Sequence, residues 1–341
     1  MSTAIKLPDG VQMSAMDTYI HDKMHGDMVE FVEGSKNRSG YANLDAITSL
    51  YPGMYVIGAI SSLGKTTFIH QMSDQIAAAG NPVLYFSFEQ SRLELASKSL
   101  SRILAQKNAD IAMTSLQIRK HGKDPRVAEA LTEYDKFSQN LFVAECTFQA
   151  TITTIEETVN SYIQHTGKKP VVVIDYLQVI HSPDSHMSSK GLVDMHVQHL
   201  KQLQDDNKIV LIVISSLNRQ NYLTQVDFES FKESGGIEYT ADVVWGLQLE
   251  VLHDELFNAP NKINEKREKV REAKAANPRR IELVCLKNRF GISSYSCLYN
   301  YYPQFDYFVA DMEGIDLKSL SNNMDQDGFS QIPVQYKLPF A

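Results

Sequence analysis

Residues 59–66 read Ala-Ile-Ser-Ser-Leu-Gly-Lys-Thr, a run whose types and spacing suit wrapping a backbone around phosphate. In such a loop the peptide N–H groups point into a concavity, and the helix that follows adds positive potential at its N-terminus. Ala59, Ser61, Ser62, Leu63 and Gly64 would line the loop, with Lys65 reaching the outer phosphates. Thr66, followed by Thr67, would offer a hydroxyl to magnesium, an ion that takes oxygen ligands and usually keeps several waters. The first position is Ala where the common pattern has Gly, so the match rests on Gly64-Lys65-Thr66 lying between an apolar run and a helical one.

A magnesium site of this kind needs a carboxylate at the end of a neighbouring apolar strand, and Val171-Val-Val-Ile174-Asp175 supplies it. A helix cap or turn acid is the plainer reading of Asp175. Tyr176 follows, so no Asp-Glu pair closes this strand. Glu89 closes another, Val83-Leu-Tyr-Phe-Ser-Phe88, one helix and one strand after the lysine. On a strand adjacent to the loop Glu89 would face the terminal phosphate and orient the attacking water, since ligands bind at the carboxyl ends of open parallel sheets. Its plainer reading is a cap or surface acid. A base on a separate strand belongs to RecA-like folds, with ATP as the nucleotide and Mg²⁺ as the cofactor.

The elements that must position these groups are legible in the apolar pattern. From residue 53 short apolar runs alternate with helical stretches, which predicts an α/β fold of the RecA-like P-loop NTPase kind: a mainly parallel central sheet flanked by helices. The runs are 54–59, 82–88, 141–144, 171–176, 209–215, 243–249 and 281–286. A helix from Thr66 turns Phe68, Ile69, Met72 and Ile76 inward and ends at Gly80 and Pro82. The next opens with Ser91 and Glu94 in capping-box spacing and turns Leu93, Ala96, Leu100, Ile103 and Leu104 inward. Residues 288–296 form a hairpin turn around Gly291, with a strand returning near 297–301. Ahead of the sheet, Met16, Ile20, Met24, Met28 and Phe31 make one stripe of a helix, and Ser35–Gly40 reads as a linker. That helix can pack on its own domain or on a neighbouring subunit. Three parts follow: residues 1–40 as N-terminal helix and linker, 41–312 as the ATPase motor, and 313–341 as a polar C-terminal tail.

Composition bounds the functional classes. With 43% hydrophobic and 22% charged residues, the 341-residue chain is too apolar for disorder. No stretch approaches the roughly 18 apolar residues that span a bilayer, so a cytoplasmic protein without membrane contact is expected. Cys146, Cys285 and Cys297 fit no metal spacing and read as thiols in a reducing compartment. A net charge of -8 means that any nucleic-acid contact is local. The one basic run, Lys266 to Arg280, carries Glu268 and Glu272 and reads either as a solvated helix face or as a DNA-facing one. His196 and His199 lie one turn apart without a third ligand, which suits helix packing or solvent better than a metal.

Six blocks in order across residues 50 to 310 resemble the C-terminal motor domain of DnaB-type replicative helicases, especially stand-alone versions from phages and mobile elements. They are Gly64-Lys65-Thr66-Thr67, Phe86-Ser-Phe-Glu89, Ile174-Asp-Tyr-Leu-Gln178, Ser216-Leu-Asn-Arg219, Lys232-Glu-Ser-Gly235 with Ile237-Glu238 and Ala241-Asp242, and Lys287-Asn-Arg289. The resemblance implies that Glu89 is the catalytic glutamate and that Lys287 and Arg289 reach into a neighbouring subunit's ATP site. Arginine fingers of that kind accelerate phosphoryl transfer by factors of about 10³ to 10⁵. It also implies that Lys232, Glu233 and Gly235 line a central channel around single-stranded DNA, where Lys and loop N–H groups contact phosphates without reading bases. Arg219 and Lys190 are further candidates for that channel.

A homo-oligomeric ring, a hexamer, is implied, with 5′ to 3′ translocation and a primase or loader as partner. Two features depart from the family. Ser216 stands where a glutamine usually senses the terminal phosphate, and the chain lacks room for the collar domain and a primase. Two other functions therefore stay open: a loader or recombination factor that does not unwind, and a non-catalytic subunit that uses ATP only to assemble.

Overall fold

Strands that read as unbroken apolar runs belong in the middle of a sheet covered on both faces. The computed structural model describes residues 15–34, 36–147, 149–180, 188–218, 222–231 and 235–312. Its helices are α1 (Met16–Asp22), α2 (Met24–Gly34), α3 (Ala42–Asp45), α4 (Lys65–Ala78), α5 (Arg92–Lys107), α6 (Ser115–Lys120), α7 (Pro125–Ser138), α8 (Ile152–Thr166), α9 (Ser189–Asn207), α10 (Gly235–Thr240) and α11 (Ile263–Ala275). The strands are β1 (Gly53–Ala59), β2 (Val83–Ser87), β3 (Leu141–Glu145), β4 (Val171–Asp175), β5 (Val210–Ser216), β6 (Val243–Leu249), β7 (Arg279–Asn288), β8 (Ser296–Tyr302) and β9 (Tyr307–Ala310).

They form one sheet in the order β3-β2-β4-β5-β1-β6-β7-β8-β9. From β3 to β6 every pairing is parallel; β7, β8 and β9 join antiparallel. Every residue of β1, β4 and β6 is buried, whereas β3, at the sheet edge, leaves Phe142 exposed. All seven apolar runs become strands and the hairpin returns as β8; the short β9 has no counterpart in the apolar pattern.

Handedness decides which face each helix covers. The chain steps one way along the sheet from β1 to β2 to β3 and the other way from β3 through β4 to β5. Since parallel crossovers are right-handed, α4 to α7 lie on one face and α8 and α9 on the other. The same winding overturns one expectation: β1 is flanked by β5 and β6, not by β2 or β4. The chain winds outward to β3 first and only then returns to fill the positions beside the loop strand.

Helix α4 buries Phe68, Ile69, Met72 and Ile76, as their spacing predicts. In α5 the capping box of Ser91 and Glu94 forms, but Leu93 is 64% exposed and Leu95 is the leucine turned inward. The cause is polar. His70 Nε2 lies 2.9 Å from both the Leu95 carbonyl and Ser99 Oγ, and Arg102 pairs with Asp74, so the inward face of α5 is chosen by buried hydrogen bonds. A separate small cluster of Leu100, Leu104, Met113, Ile118, Val127 and Ala130 joins α5, α6 and α7.

The N-terminal stripe forms two helices, broken at Lys23, and Met16, Ile20, Met28 and Phe31 remain exposed. Glu30 of α2 pairs with Lys169 and Lys208, and Phe31 stacks on Tyr51 at 5.3 Å. Residues 36–40 are not a free linker. The Asp45 carboxylate accepts from Ser39 N at 2.8 Å, Ser39 Oγ at 2.7 Å and Gly40 N at 2.9 Å. The tail, 313–341, lies outside the described residues.

Candidate active site

The phosphate loop joins the end of β1 to the start of α4. Ser62 (φ +68°) and Gly64 (φ +91°) both take left-handed backbone, and a Cβ at Gly64 would stand 3.0 Å from the Tyr301 ring and 3.1 Å from Phe308. Only glycine fits there. No acidic side chain occupies the first turn of α4, so the positive potential of its N-terminus is not offset within the helix.

Thr66 and Asp175 meet although β5 separates their strands: Thr66 Oγ1 donates to Asp175 Oδ1 at 3.3 Å. Tyr85 of β2 donates to the other oxygen, Oδ2, at 2.8 Å. Asp175 is fully buried. Burial pushes its pKa up, the two hydroxyl hydrogen bonds pull it down, Glu89 raises it further and Lys65 lowers it. The turn after β2 that carries Glu89 is fastened to β4 by Phe88 N, which donates to the Asp175 carbonyl at 2.8 Å, and Glu89 itself is exposed. Lys65 Nζ lies 5.7 Å from the centre of the Tyr176 ring.

One carboxylate and one hydroxyl suit a magnesium ion, which completes its shell with water and phosphate oxygens. Among the described residues no group of three or more His, Cys, Asp or Glu side chains is placed to enclose a metal by itself. Ala59 pairs in register with Ser216, whose N–H donates to Gln178 Oε1 at 3.2 Å while Gln178 Nε2 donates to Ser215 Oγ at 2.8 Å. Sequence reasoning assigned Gln178 and Tyr85 no such contacts. The signal for Tyr85 was a hydroxyl in the middle of an otherwise apolar run, Val83 to Phe86.

Lys287 and Arg289 lie at the opposite end of the sheet. Asn288 pairs with Val243, and Val243 with Tyr55, four residues before Ala59, or roughly 13 Å along the strand. Lys287 Nζ donates to the Glu238 carbonyl at 2.6 Å, and Arg289 Nη1 to Asp242 Oδ1 at 3.0 Å. Burial and the neighbouring Arg289 lower the Lys287 pKa.

Of the expected DNA contacts, Lys232, Glu233 and Arg219 lie outside the described residues. Gly235 opens α10, where Gly236 N donates to Asp194 Oδ1 at 3.1 Å; Lys190 is exposed one turn earlier on α9. The base of the intervening loop closes through a Leu217–Phe231 bridge against β1, where a Cβ on Gly58 would stand 2.5 Å from each. His196 is buried and His199 Nδ1 lies 3.1 Å from Glu156; Cys285 and Cys297 are buried free thiols and Cys146 is half-buried. No helix among the described residues is long and apolar enough to cross a membrane.

Residues 37–309 match the model of the DnaB-like helicase C terminal domain. The chain is 25% identical over 281 residues to a probable replicative DNA helicase of Trieres chinensis, covering 80% of this chain and 58% of that one. To the replicative DNA helicase DnaB of Leifsonia xyli subsp. xyli it is 28% identical over 242 residues, covering 66% and 51%. The chain thus spans about half the length of the curated relatives it matches. Among solved structures, the ATPase domain of G40P superposes with a TM-score of 0.66 at 18% identity, over 87% of this chain and 99% of that one. A DnaB-like replicative helicase described with its interactions with primase gives 0.66 at 19%, over 86% and 69%.

Proposed function

The chain belongs to the DnaB-like helicase C-terminal domain family, and on that premise we propose that it is a ring-forming motor that hydrolyses ATP to move along single-stranded DNA and unwind duplex. The observation that carries this reading is the meeting of Thr66 and Asp175 at 3.3 Å beside the phosphate loop, with the turn that carries Glu89 fastened to the Asp175 carbonyl through Phe88 N at 2.8 Å. In the proposed reaction the loop amides and Lys65 hold the phosphates. Thr66 and Asp175 hold Mg²⁺, which when bound draws charge from the phosphate oxygens. Glu89, exposed at the mouth, orients the attacking water and accepts its proton. Arg289 and Lys287 stand too far from their own loop to serve it and complete a neighbour's site instead. A hexamer would bring copies of Lys232, Glu233, Gly235, Arg219 and Lys190 around one channel, which reconciles DNA binding with the net charge of -8. Movement 5′ to 3′ and a primase or loader partner belong to the same proposal.

Ser216 favours a second reading, a DNA loader that does not unwind. Its side chain is short, and its backbone is held by Gln178. The test is ATP turnover with and without single-stranded DNA, together with displacement of one strand of a forked duplex. Glu89→Gln should retain ATP and lower kcat by about 10³-fold or more. Turnover stimulated by DNA without displacement would select the loader reading, and turnover unchanged by Glu89→Gln would end both.

A further inference from the structure

The basic run at 266–280 has a solvated outer side, where Arg267, Glu268, Arg271 and Glu272 are exposed, while its other cations are held by the protein itself. Lys266 Nζ donates to the Phe257 carbonyl at 2.8 Å, Lys269 pairs with Asp254, Arg271 with Glu268, and Arg280 with Glu250 at 2.9 Å and Asp311 at 2.7 Å. Two cations of the run go elsewhere. Lys274 Nζ donates to the Ser61 carbonyl at 3.4 Å, and Arg279 Nη1 donates to the Ser62 carbonyl at 2.7 Å. Both acceptors belong to the phosphate loop.

Each of these carbonyls shares a peptide with an N–H on which phosphate binding depends. Ser61 C=O is joined to Ser62 N–H, and Ser62 C=O to Leu63 N–H. A cation on the oxygen polarises the whole peptide and makes its N–H the stronger donor. It also helps hold a strained conformation, since Ser62 sits at φ +68°, where a residue with a side chain is disfavoured. The cations are themselves held. The Arg279 guanidinium lies 5.6 Å from the Tyr301 ring centre and donates to the Lys274 carbonyl, and Tyr301 stacks on Phe308 at 4.0 Å. Lys274 Nζ lies 5.1 Å from the Tyr222 ring centre.

We infer that Arg279 and Lys274 are positioning residues for the nucleotide: from behind the phosphate loop they fix Ser62 and Ser61 by their carbonyls, which makes α11 and the start of β7 a brace on ATP binding. The inference rests on the proposed function, because it supposes that the loop takes a nucleotide.

The test measures affinity for a fluorescent ADP analogue with Mg²⁺, with a thermal midpoint for every variant. Arg279→Ala should weaken binding about tenfold and Lys274→Ala about threefold with the midpoint unchanged, while Arg267→Ala, exposed on the same helix, binds as the parent does. Arg279→Lys should recover only part of the loss, because a compact ammonium on a flexible stem does not reproduce the fixed planar fork whose two nitrogens reach the Ser62 and Lys274 carbonyls. Full recovery would reduce the pair to a diffuse positive field and overturn the brace. So would parent-like binding by Arg279→Ala while Lys65→Ala loses it, a result that leaves the nucleotide reading intact. Should neither the parent nor Lys65→Ala bind, the brace falls together with the proposed function. If Arg279→Ala unfolds, Lys274→Ala carries the same comparison.

Discussion

Asp175 is where stability and chemistry pull apart most clearly. A carboxylate without exposure loses hydration that two hydroxyl donors restore only in part, so its pKa is raised from its ordinary value. A raised pKa means the folded state holds this proton more tightly than the unfolded state. Below the unfolded value both states are protonated and the side chain contributes nothing; as pH climbs through the folded value, ionisation charges a buried site and subtracts stability. The charged form is nevertheless the one that suits a divalent cation. Asp175→Asn should therefore melt at the same or a higher temperature at neutral pH, with the difference shrinking as pH falls through the raised pKa, while ATP turnover drops by about 100-fold or more. Differential scanning fluorimetry from pH 4 to 8 beside a turnover assay checks both; a lower melting temperature at pH 8 would show that the carboxylate stabilises the fold. Asp242 holds a second charged junction, accepting from Lys201 at 2.7 Å, Arg289 at 3.0 Å and Met54 N at 2.9 Å. Thus the proposed finger already has a partner within its own chain.

At the scale of elements, polar packing does what hydrophobic spacing alone could not announce. The His70 ring on α4 faces the carbonyl of Leu95, and burial lowers its pKa to about 4; burial likewise lowers His196 on α9 to about 4. Both rings stay neutral in the fold, so the unfolded chain alone takes up protons as pH falls below the ordinary value of about 6.5. His70 should remove about 2 kcal/mol of stability by pH 5 and His196 less, and the loss is complete only below the folded pKa. Urea unfolding at pH 7 and pH 5 should show His196→Leu losing markedly less than the parent, and equal losses would contradict the assignment. The same polar contacts explain what the sequence concealed. Apolar runs as short as 54–59 or 243–249 and rich in β-branched and aromatic residues suit buried strands, and the glycine, lysine and threonine after the first suit a strand that passes into a helix. Leu93 and Leu95 are equally apolar, and only the partners of Ser99 and Arg102, on other elements, decide which turns inward. Strand order is concealed for a similar reason: it is set by crossovers, which leave no periodicity in the chain. Lys274 and Arg279 looked like surface because their partners are backbone carbonyls more than 200 positions away.

For the whole molecule, the sheet separates the candidate machinery by polarity. Loop, Thr66, Asp175 and Glu89 gather at the carboxyl ends of the parallel strands, and Lys287 and Arg289 at the other end, so one chain presents the two halves of the proposed site at opposite ends of its strands. Surfaces complementary in this head-to-tail sense close into rings when the rotation permits. If catalysis is shared between neighbours, two defective chains should repair one another. Glu89→Gln keeps its finger but loses its base, and Arg289→Ala keeps its base but loses its finger, so each alone should be nearly inactive. Mixed in equal amounts and allowed to exchange, about a quarter of the interfaces would pair an intact Glu89 with an intact Arg289, since each partner is chosen at random from two kinds. Turnover should then rise well above the mean of the two variants, toward roughly that fraction of the parent rate if sites act independently, and less if they must fire in concert around the ring. Mass measurement of the mixture with single-stranded DNA and a non-hydrolysable ATP analogue shows whether exchange into a ring has occurred. A mixed ring that stays as inactive as its parts would mean that Arg289 serves its own fold through Asp242, and a monomer under those conditions would remove the neighbour that the reaction requires.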